Sequence, residues 1–185
     1  MLTCSFHKIN KISIENINQL ETLEVNPLPI FSDLSIEFLG QLSKNLFKLH
    51  NIREYPDVAT FAFWCRKMNL SKLSCSYKNQ QNKLGRGVAF HITPNNVPVN
   101  FAFSFAFGIL SGCSNIVRVP TKEFPQVEII SSAIFKLLKL KNFRQLTKMN
   151  LFITYKKDIE ITELISLKAN SRLIWGGDKT IKLIK

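Results

Sequence analysis

The chain has 185 residues, of which 45% are hydrophobic and 21% are charged, a composition that is typical of a folded globular domain and excludes a disordered chain. Its fifteen phenylalanines supply aromatic area that has to be buried in a core or against a partner surface. The net charge is +12, but 19 of the 25 basic residues are lysines, mostly scattered singly, and no arginine-rich block or basic-aromatic motif is present, so we expect no nucleic-acid partner.

The cysteines and histidines are spread along the chain without a metal-ligand pattern. None of the four cysteines pairs as CxxC, which argues against zinc and thioredoxin-type chemistry, and we expect each of them to be a small buried apolar residue. The first residues lack the apolar stretch of a signal peptide, and the most apolar segment, residues 97–110, is too short to span a bilayer. The sequence therefore predicts a cytoplasmic protein without a membrane span and without a metal site.

Residues 1–60 form a lead that we predict to be helical. Apolar residues at helical spacing over residues 32–49, after a serine and an aspartate suited to capping, predict the first helix. Pro56 and Asp57 predict the start of a second helix, because proline and an acidic residue are favoured in a first helical turn. The apolar face of this second helix comprises Val58, Phe61, Cys65 and Met68. The polar stretch over residues 76–87 is interpreted as a loop.

A short buried strand is predicted over residues 88–92, followed by the turn TPNNVP. In the next segment, NFAFSFAFGILSG, alternating phenylalanines favour a strand. The same phenylalanines also form stripes at helical spacing, as in a helix that is buried on all sides. The pattern alone leaves both interpretations open.

Strand and helix then alternate regularly. We predict strands over residues 115–119, 151–155 and 172–175, and helices over residues 126–140 and 160–168. This spacing is typical of βαβ units, which form parallel sheets with crossover helices. Because ligands of such sheets bind at the carboxyl ends of the strands, Arg118 and the pair Gly176–Gly177 are expected at the same edge.

Three segments, GRGVAFHITPNNVPVNFAFSFAFG, SGCSNIVRVPTKEFPQV and SRLIWGGDKTI, occur in this order along the chain. Together they closely resemble the acyl-CoA reductase family, which includes the reductase subunit of the bacterial bioluminescence fatty-acid reductase complex and belongs to the aldehyde dehydrogenase superfamily. The resemblance also takes in FAFWCRKMNLSKL and covers at least residues 61–181. It implies an α/β fold with a Rossmann-like parallel sheet, a truncated cofactor-binding domain over residues 61–185, and a helix for the phenylalanine-rich segment.

The turn from Pro94 to Pro98 resembles the Pro-Trp-Asn-Phe-Pro turn of aldehyde dehydrogenases. The resemblance implies that the Asn96 amide stabilises the oxyanion that forms when a thiolate attacks an acyl carbonyl, as a fixed neutral donor would. Asn95 stands where the superfamily has tryptophan. The competing interpretation is a structural turn, in which the asparagine side chains bind local backbone groups.

The segment around Arg118 aligns with the Lys-Pro-Ser-Glu turn that holds the adenosine ribose in the superfamily. Arg118 takes the lysine position, Thr121 the glutamate position, and Lys122 is adjacent. A threonine between two cationic residues favours a 2′-phosphate, and hence NADP as the cofactor. A two-residue shift of this alignment would place Glu123 in the acidic position and reverse the preference. An ordinary solvated strand end is the alternative interpretation.

The third segment resembles the Phe-Thr-Gly-Ser turn that follows a nucleotide-binding strand in the superfamily. The resemblance implies that the backbone N–H groups of Gly176 and Gly177 approach the pyrophosphate. Asp178 stands where the superfamily has serine, and a carboxylate is a poor phosphate neighbour. The GxGxxG fingerprint is absent, which fits this superfamily's variant of dinucleotide binding.

The family's catalytic cysteine and its assisting glutamate lie beyond the third segment, and none of the four cysteines matches that nucleophile. The sequence is therefore expected to be a truncated or partial reductase that is inactive by itself. The resemblance implies a long-chain fatty acyl-CoA or acyl-protein thioester as substrate, an aldehyde as product, and acyl-protein synthetase and acyl-transferase subunits as partners. The alternative is a non-catalytic nucleotide-binding or interaction module.

Overall fold

The fold is built around one parallel β-sheet, seen in a computed structural model that describes residues 8–77, 83–178 and 181–182. All four pairings between neighbouring strands are parallel, and the strand order is β1-β4-β3-β2-β5. The strands are β1 (Asn10–Lys11), β2 (Val88–Ile92), β3 (Ser114–Arg118), β4 (Asn150–Thr154) and β5 (Ser171–Ile174). The fold is therefore of the Rossmann-like α/β class that the sequence predicted.

Seven α-helices and three short 3₁₀ helices connect the strands of the described part. The α-helices are α1 (Asp33–Phe47), α2 (Pro56–Trp64), α3 (Lys67–Cys75), α4 (Asn100–Leu110), α5 (Pro125–Leu138), α6 (Arg144–Met149) and α7 (Ile159–Leu167). The 3₁₀ helices cover Ile14–Thr22, Ile52–Glu54 and Lys141–Phe143. None of the helices in the described ranges combines the length and the apolar character needed to span a membrane.

Two apolar clusters cover the two faces of the sheet, because successive strand residues point to opposite faces. Val117 and Phe152 belong to the larger cluster, with buried residues of α1, α2, α4 and α5, whereas Ile116 and Ile153 belong to the smaller one, with residues of α7 and of the first 3₁₀ helix. Helices therefore cover both faces, as the near-continuous burial of strands β2, β3 and β4 requires.

The predicted βαβ units are confirmed, with bounds within about two residues of those expected. Strands β3, β4 and β5 are parallel, and α5 and α7 lie in the crossovers between them. Arg118 ends β3 and Gly176 follows β5, so both lie at the carboxyl edge of the sheet. The phenylalanine-rich segment is the helix α4, in which Phe101 and Phe105 are buried in the larger cluster and Phe103 packs on Phe61.

The sequence did not predict the position of β5. This strand returns across the sheet to pair with β2 instead of extending the sheet beyond β4. The chain thus proceeds from β2 through β3 to β4 in one direction and then reverses, which creates a topological switch point between β2 and β5. Ligands of open α/β sheets bind in the crevice at the carboxyl ends of the strands at such a point.

The lead contributes to the sheet as well as to the helical layer. Helix α1 is capped by Ser32, whose Oγ accepts a hydrogen bond from the Ser35 N–H (3.2 Å), as the sequence predicted. Strand β1, which was not predicted, pairs with β4, and the Asn10 side chain donates to the Phe152 carbonyl (3.3 Å). The division at residue 60 remains a prediction, although α1 shares its core with α4 and α5.

Two expectations about the second helix and the cysteines are wrong. The helix that begins at Pro56 ends at Trp64, and the chain turns at Arg66, where Asn69 Nδ2 donates to the Phe63 carbonyl (2.7 Å). Met68 therefore lies in the next helix, α3, and is 80% exposed instead of extending the apolar face. Cys65 and Cys113 are buried as expected, whereas Cys75, at the end of α3, is exposed. Cys4 and residues 78–82 of the predicted loop fall outside the described residues.

Candidate functional site

The turns that follow β2 and β3 are joined by two reciprocal hydrogen bonds. Asn95 Nδ2 donates to Thr121 Oγ1 (2.8 Å), and the Thr121 N–H donates to Asn95 Oδ1 (3.1 Å). One residue beyond β2, the Thr93 hydroxyl donates to the Arg118 carbonyl (2.7 Å). Asn95 therefore connects the turn that carries Asn96 to the turn that carries Thr121.

Asn96 lies in the turn after β2 and is exposed. Within the described ranges its side chain makes no hydrogen bond, in contrast to that of the neighbouring Asn95. The amide of Asn96 is therefore available as a donor, and its position does not depend on binding local backbone groups. The role of Asn96 in oxyanion stabilisation remains a prediction.

Arg118 lies at the end of β3 and is held against the residue that follows β4. Its guanidinium stacks over the Tyr155 ring, with Cζ 4.4 Å from the ring centroid, and Nη2 donates to the Tyr155 carbonyl (3.3 Å). Burial raises the pKa of the Tyr155 phenol, whose hydroxyl pairs with Thr162 Oγ1 (3.0 Å). Arg118 Nε is buried and has no acceptor among the described residues, which leaves one donor of a permanent cation unsatisfied.

Thr121 and Lys122 line a groove of about 790 Å³ that lies between the β3–α5 turn, helix α5 and the chain at Ile9 and Thr154. Glu123 lines the same groove. Thr121 and Glu123, which the two alternative alignments put at the acidic position, therefore lie at the same place in the structure. Lys122 is exposed, with Nζ 5.1 Å from the centre of the Phe124 ring. Because Thr121 Oγ1 accepts from Asn95, its own proton remains free to be donated to a ligand.

Gly176 and Gly177 follow the carboxyl end of β5, next to the switch point. A Cβ atom built on Gly177 meets no described atom within 4 Å, and the φ angle of Gly177 is not positive. Neither packing nor backbone conformation therefore requires glycine at this position, and the open space allows a ligand to approach the backbone closely. The Ile181 N–H donates to the Gly177 carbonyl (3.1 Å).

The structure brings all six predicted site residues to the carboxyl edge of three adjacent strands, β5, β2 and β3. Neighbouring strands lie about 4.8 Å apart, so the turns after β5 and β3 are separated by roughly 10 Å. Cys113 lies at the other edge, because it precedes β3, whereas Arg118 ends it. None of the described cysteines lies in the turns that carry the six site residues.

Sequence reasoning missed a buried polar chain that reaches this edge from inside the sheet. It comprises Trp175, Ser104, His91, Asn115 and Asn150, which are linked by side-chain hydrogen bonds of 2.6–2.9 Å. The available signal was the single polar residue inside otherwise apolar segments, such as His91 in VAFHI. The pattern does not show that these residues lie next to one another, because they come from different strands and from α4.

The all-parallel sheet with crossover helices on both faces, and the chain reversal beside β2, define a Rossmann-like α/β protein. The chain belongs to the acyl-CoA reductase (LuxC) family, whose model matches residues 66–185. No match was found among curated proteins. The resemblance inferred from the three segments is thereby confirmed. At the level of the family, the activity is that of an oxidoreductase that acts on fatty acyl substrates.

Proposed function

We propose that this chain supplies the cofactor-binding elements for the NADPH-dependent reduction of a long-chain fatty acyl thioester to the aldehyde. The observation that carries the proposal is the assembly of Asn96, Arg118, Thr121 and the two glycines at one carboxyl edge, next to the switch point. Membership of the acyl-CoA reductase family supports the acyl substrate. The acyl-protein synthetase and acyl-transferase partners are proposed on the same resemblance.

The residues of this edge fit the adenosine 2′-phosphate of NADP. Arg118 places a permanent cation at the end of β3, Thr121 retains a proton to donate, and Lys122 lines the same groove as Thr121. Charge-assisted hydrogen bonds from such groups to a phosphate are stronger than those between neutral partners. The open backbone at Gly177 fits the pyrophosphate, since no Cβ blocks its approach.

In the proposed reaction, this chain binds and orients its ligands and stabilises charge. NADPH supplies a hydride when it is bound. The Asn96 amide donates to the oxyanion that develops on the acyl carbonyl during attack by a thiolate, and a donor of this kind contributes about 3–4 kcal/mol in comparable sites. The reciprocal hydrogen bonds of Asn95 with Thr121 hold the turn that carries Asn96 in place relative to the cofactor turn.

The assignment of NADPH is tested with Arg118→Ala in calorimetric titrations of NADPH and NADH. We expect NADPH binding to weaken at least tenfold, because a lost charge-assisted hydrogen bond is worth about 1.5–3 kcal/mol, and NADH binding to change much less. Arg144→Ala is the matched control, because Arg144 is exposed and begins α6, which precedes β4. Equal losses for both nucleotides would make Arg118 structural and refute the assignment of the 2′-phosphate.

A further inference from the structure

A chain of hydrogen-bonded side chains runs between the sheet and α4 and ends at Trp175, directly before the glycine turn. Trp175 Nε1 donates to Ser104 Oγ (2.9 Å), Ser104 Oγ pairs with His91 Nδ1 (2.7 Å), and His91 Nε2 pairs with Asn115 Oδ1 (2.9 Å). Asn115 continues the chain to Asn150 on β4 (2.6 Å). Apart from Trp175, these residues are completely buried.

The bonds of Asn115, at the far end of the chain from Trp175, determine which group donates in each hydrogen bond. Asn115 Nδ2 donates to both the Asn150 side chain and the Cys113 carbonyl (2.8 Å), so Asn115 Oδ1 has to be an acceptor. His91 therefore carries its proton on Nε2, and its Nδ1 accepts from the Ser104 hydroxyl. Ser104 Oγ uses a lone pair for the Trp175 N–H, so donors and acceptors match along the whole chain.

The chain holds Trp175, the residue that directly precedes Gly176. The Trp175 backbone N–H donates to the Ile92 carbonyl (2.9 Å), and its ring stacks on Phe107 with a centroid distance of 6.2 Å and an angle of 6° between the planes. The bond to Ser104 fixes the position of the indole along Phe107, because stacking alone permits sliding. With both its indole N–H and its backbone N–H bound, Trp175 restrains the start of the glycine turn one residue later.

We propose that Ser104, held in place by His91, is a positioning residue for the dinucleotide. Its bond to the Trp175 indole fixes the start of the turn, so that the backbone N–H groups of Gly176 and Gly177 remain aimed at the pyrophosphate. This inference rests on the proposed function for its ligand, but the positioning itself is a property of the protein without a ligand. Ser104 and His91 do not touch the cofactor in this arrangement and act through Trp175.

The test uses the isotope-labelled 185-residue chain with Ser104→Ala, Trp175→Phe and the double variant. Trp175→Phe retains an aromatic ring that can stack on Phe107 and removes the N–H donor together with one ring of the indole. We expect each single variant to shift the backbone amide resonances of Gly176 and Gly177 and to weaken NADPH binding roughly fivefold, the equivalent of one hydrogen bond of about 1 kcal/mol. The double variant should also lose only about fivefold, because both changes break the same bond.

Ser43→Ala is the matched control. Ser43 is a buried helical serine whose hydroxyl donates to the Ala62 carbonyl (2.6 Å), far in the sequence from the glycine turn. It should alter neither the glycine resonances nor NADPH binding. Unshifted glycine resonances in Ser104→Ala, or additive losses in the double variant, would overturn the positioning role. If the parent 185-residue chain binds no NADPH, the proposed function is refuted. The glycine resonances of Ser104→Ala then decide by themselves whether Ser104 positions the turn.

Discussion

His91 has both ring nitrogens engaged by neutral side chains, Ser104 of α4 and Asn115 of β3, and this arrangement suits only the uncharged imidazole. Burial lowers the pKa of His91 to about 4, and the bond to Asn115 offsets this only in part. Protonation would place a hydrogen on Nδ1, where the Ser104 hydroxyl donates, and would reverse the bond between Ser104 and His91. The residue is therefore expected to stay neutral in the folded protein throughout the physiological range.

The depressed pKa predicts a pH-dependent stability. The unfolded chain takes up a proton at His91 near pH 6.5, whereas the folded chain resists protonation until about pH 4. The contribution of His91 to the free energy of unfolding is thus fully present above pH 6.5 and is lost as the pH falls toward 4. The loss amounts to about 3 kcal/mol. Urea unfolding at several pH values measures it.

The comparison that isolates His91 uses His91→Gln, which cannot be charged. We expect this variant to be less stable near neutral pH and to have a flatter dependence between pH 6.5 and 4. His50→Gln, on the exposed surface after α1, should leave the slope of the parent chain unchanged. Parallel curves for the parent and His91→Gln would show that another group carries the effect.

At the scale of elements, helix α4 depends on its close approach to β2 and β3. A Cβ atom on Gly108 would overlap Asn115 Oδ1 and lie 2.8 Å from His91 Cε1. Glycine is therefore required here by the distance between helix and sheet, although alanine has the higher helix propensity by about 1 kcal/mol. The close approach is also what places Ser104, one turn earlier, within reach of His91.

Gly108→Ala is expected to lower the free energy of unfolding by about 1–3 kcal/mol, because the methyl group displaces side chains that are locked by hydrogen bonds. Gly40→Ala in α1 is the matched control, since its new methyl group would come no closer than 3.3 Å to Lys67 Cβ. We expect that control to change stability by less than about 1 kcal/mol. Chemical denaturation measures both variants, and equal stabilities would contradict the packing argument.

For the whole molecule, the placement of the cysteines bears on activity. Cys65 is fully buried, and burial raises the pKa of its thiol well above the usual range, so it is a poor nucleophile. Cys113 lies at the amino edge of the sheet, and Cys75 lies at the end of α3. None of these three lies in the turns that carry Asn96 and the cofactor residues.

We therefore expect the purified 185-residue chain to oxidise no NADPH when a long-chain acyl-CoA is added, because none of the three described cysteines is positioned to accept the acyl group. Absorbance of NADPH over time measures this, with the cysteine-free variant as the baseline control. Acyl-CoA-dependent oxidation that is abolished by Cys113→Ala or Cys75→Ala alone would identify a nucleophile in this chain and refute the expectation.

Much of the fold could be predicted because local patterns depend on local physics. Apolar periodicity located strands β3, β4 and β5 and helices α5 and α7 to within about two residues, since burial on one or both faces imposes a period. The short helix α6 between α5 and β4 was not predicted. The break between α2 and α3 was not predicted, because Cys65 and Met68 continue the helical spacing although the chain turns at Arg66. The strand pairing of β5 with β2 was also not predictable, because no short-range pattern encodes a strand order.

As with the fold, one part of the candidate site could be predicted from the sequence and another part could not. The family, the parallel α/β class and the shared edge of Arg118 and Gly177 could be inferred from the sequence, because motifs and apolar periodicity are properties of consecutive residues. The bonds of Asn95 to Thr121 and of Ser104 to His91 and Trp175 became visible in the folded chain alone. These contacts join residues 13 to 71 positions apart, and their hydrogen-bond geometry exists only once strands and helix have packed.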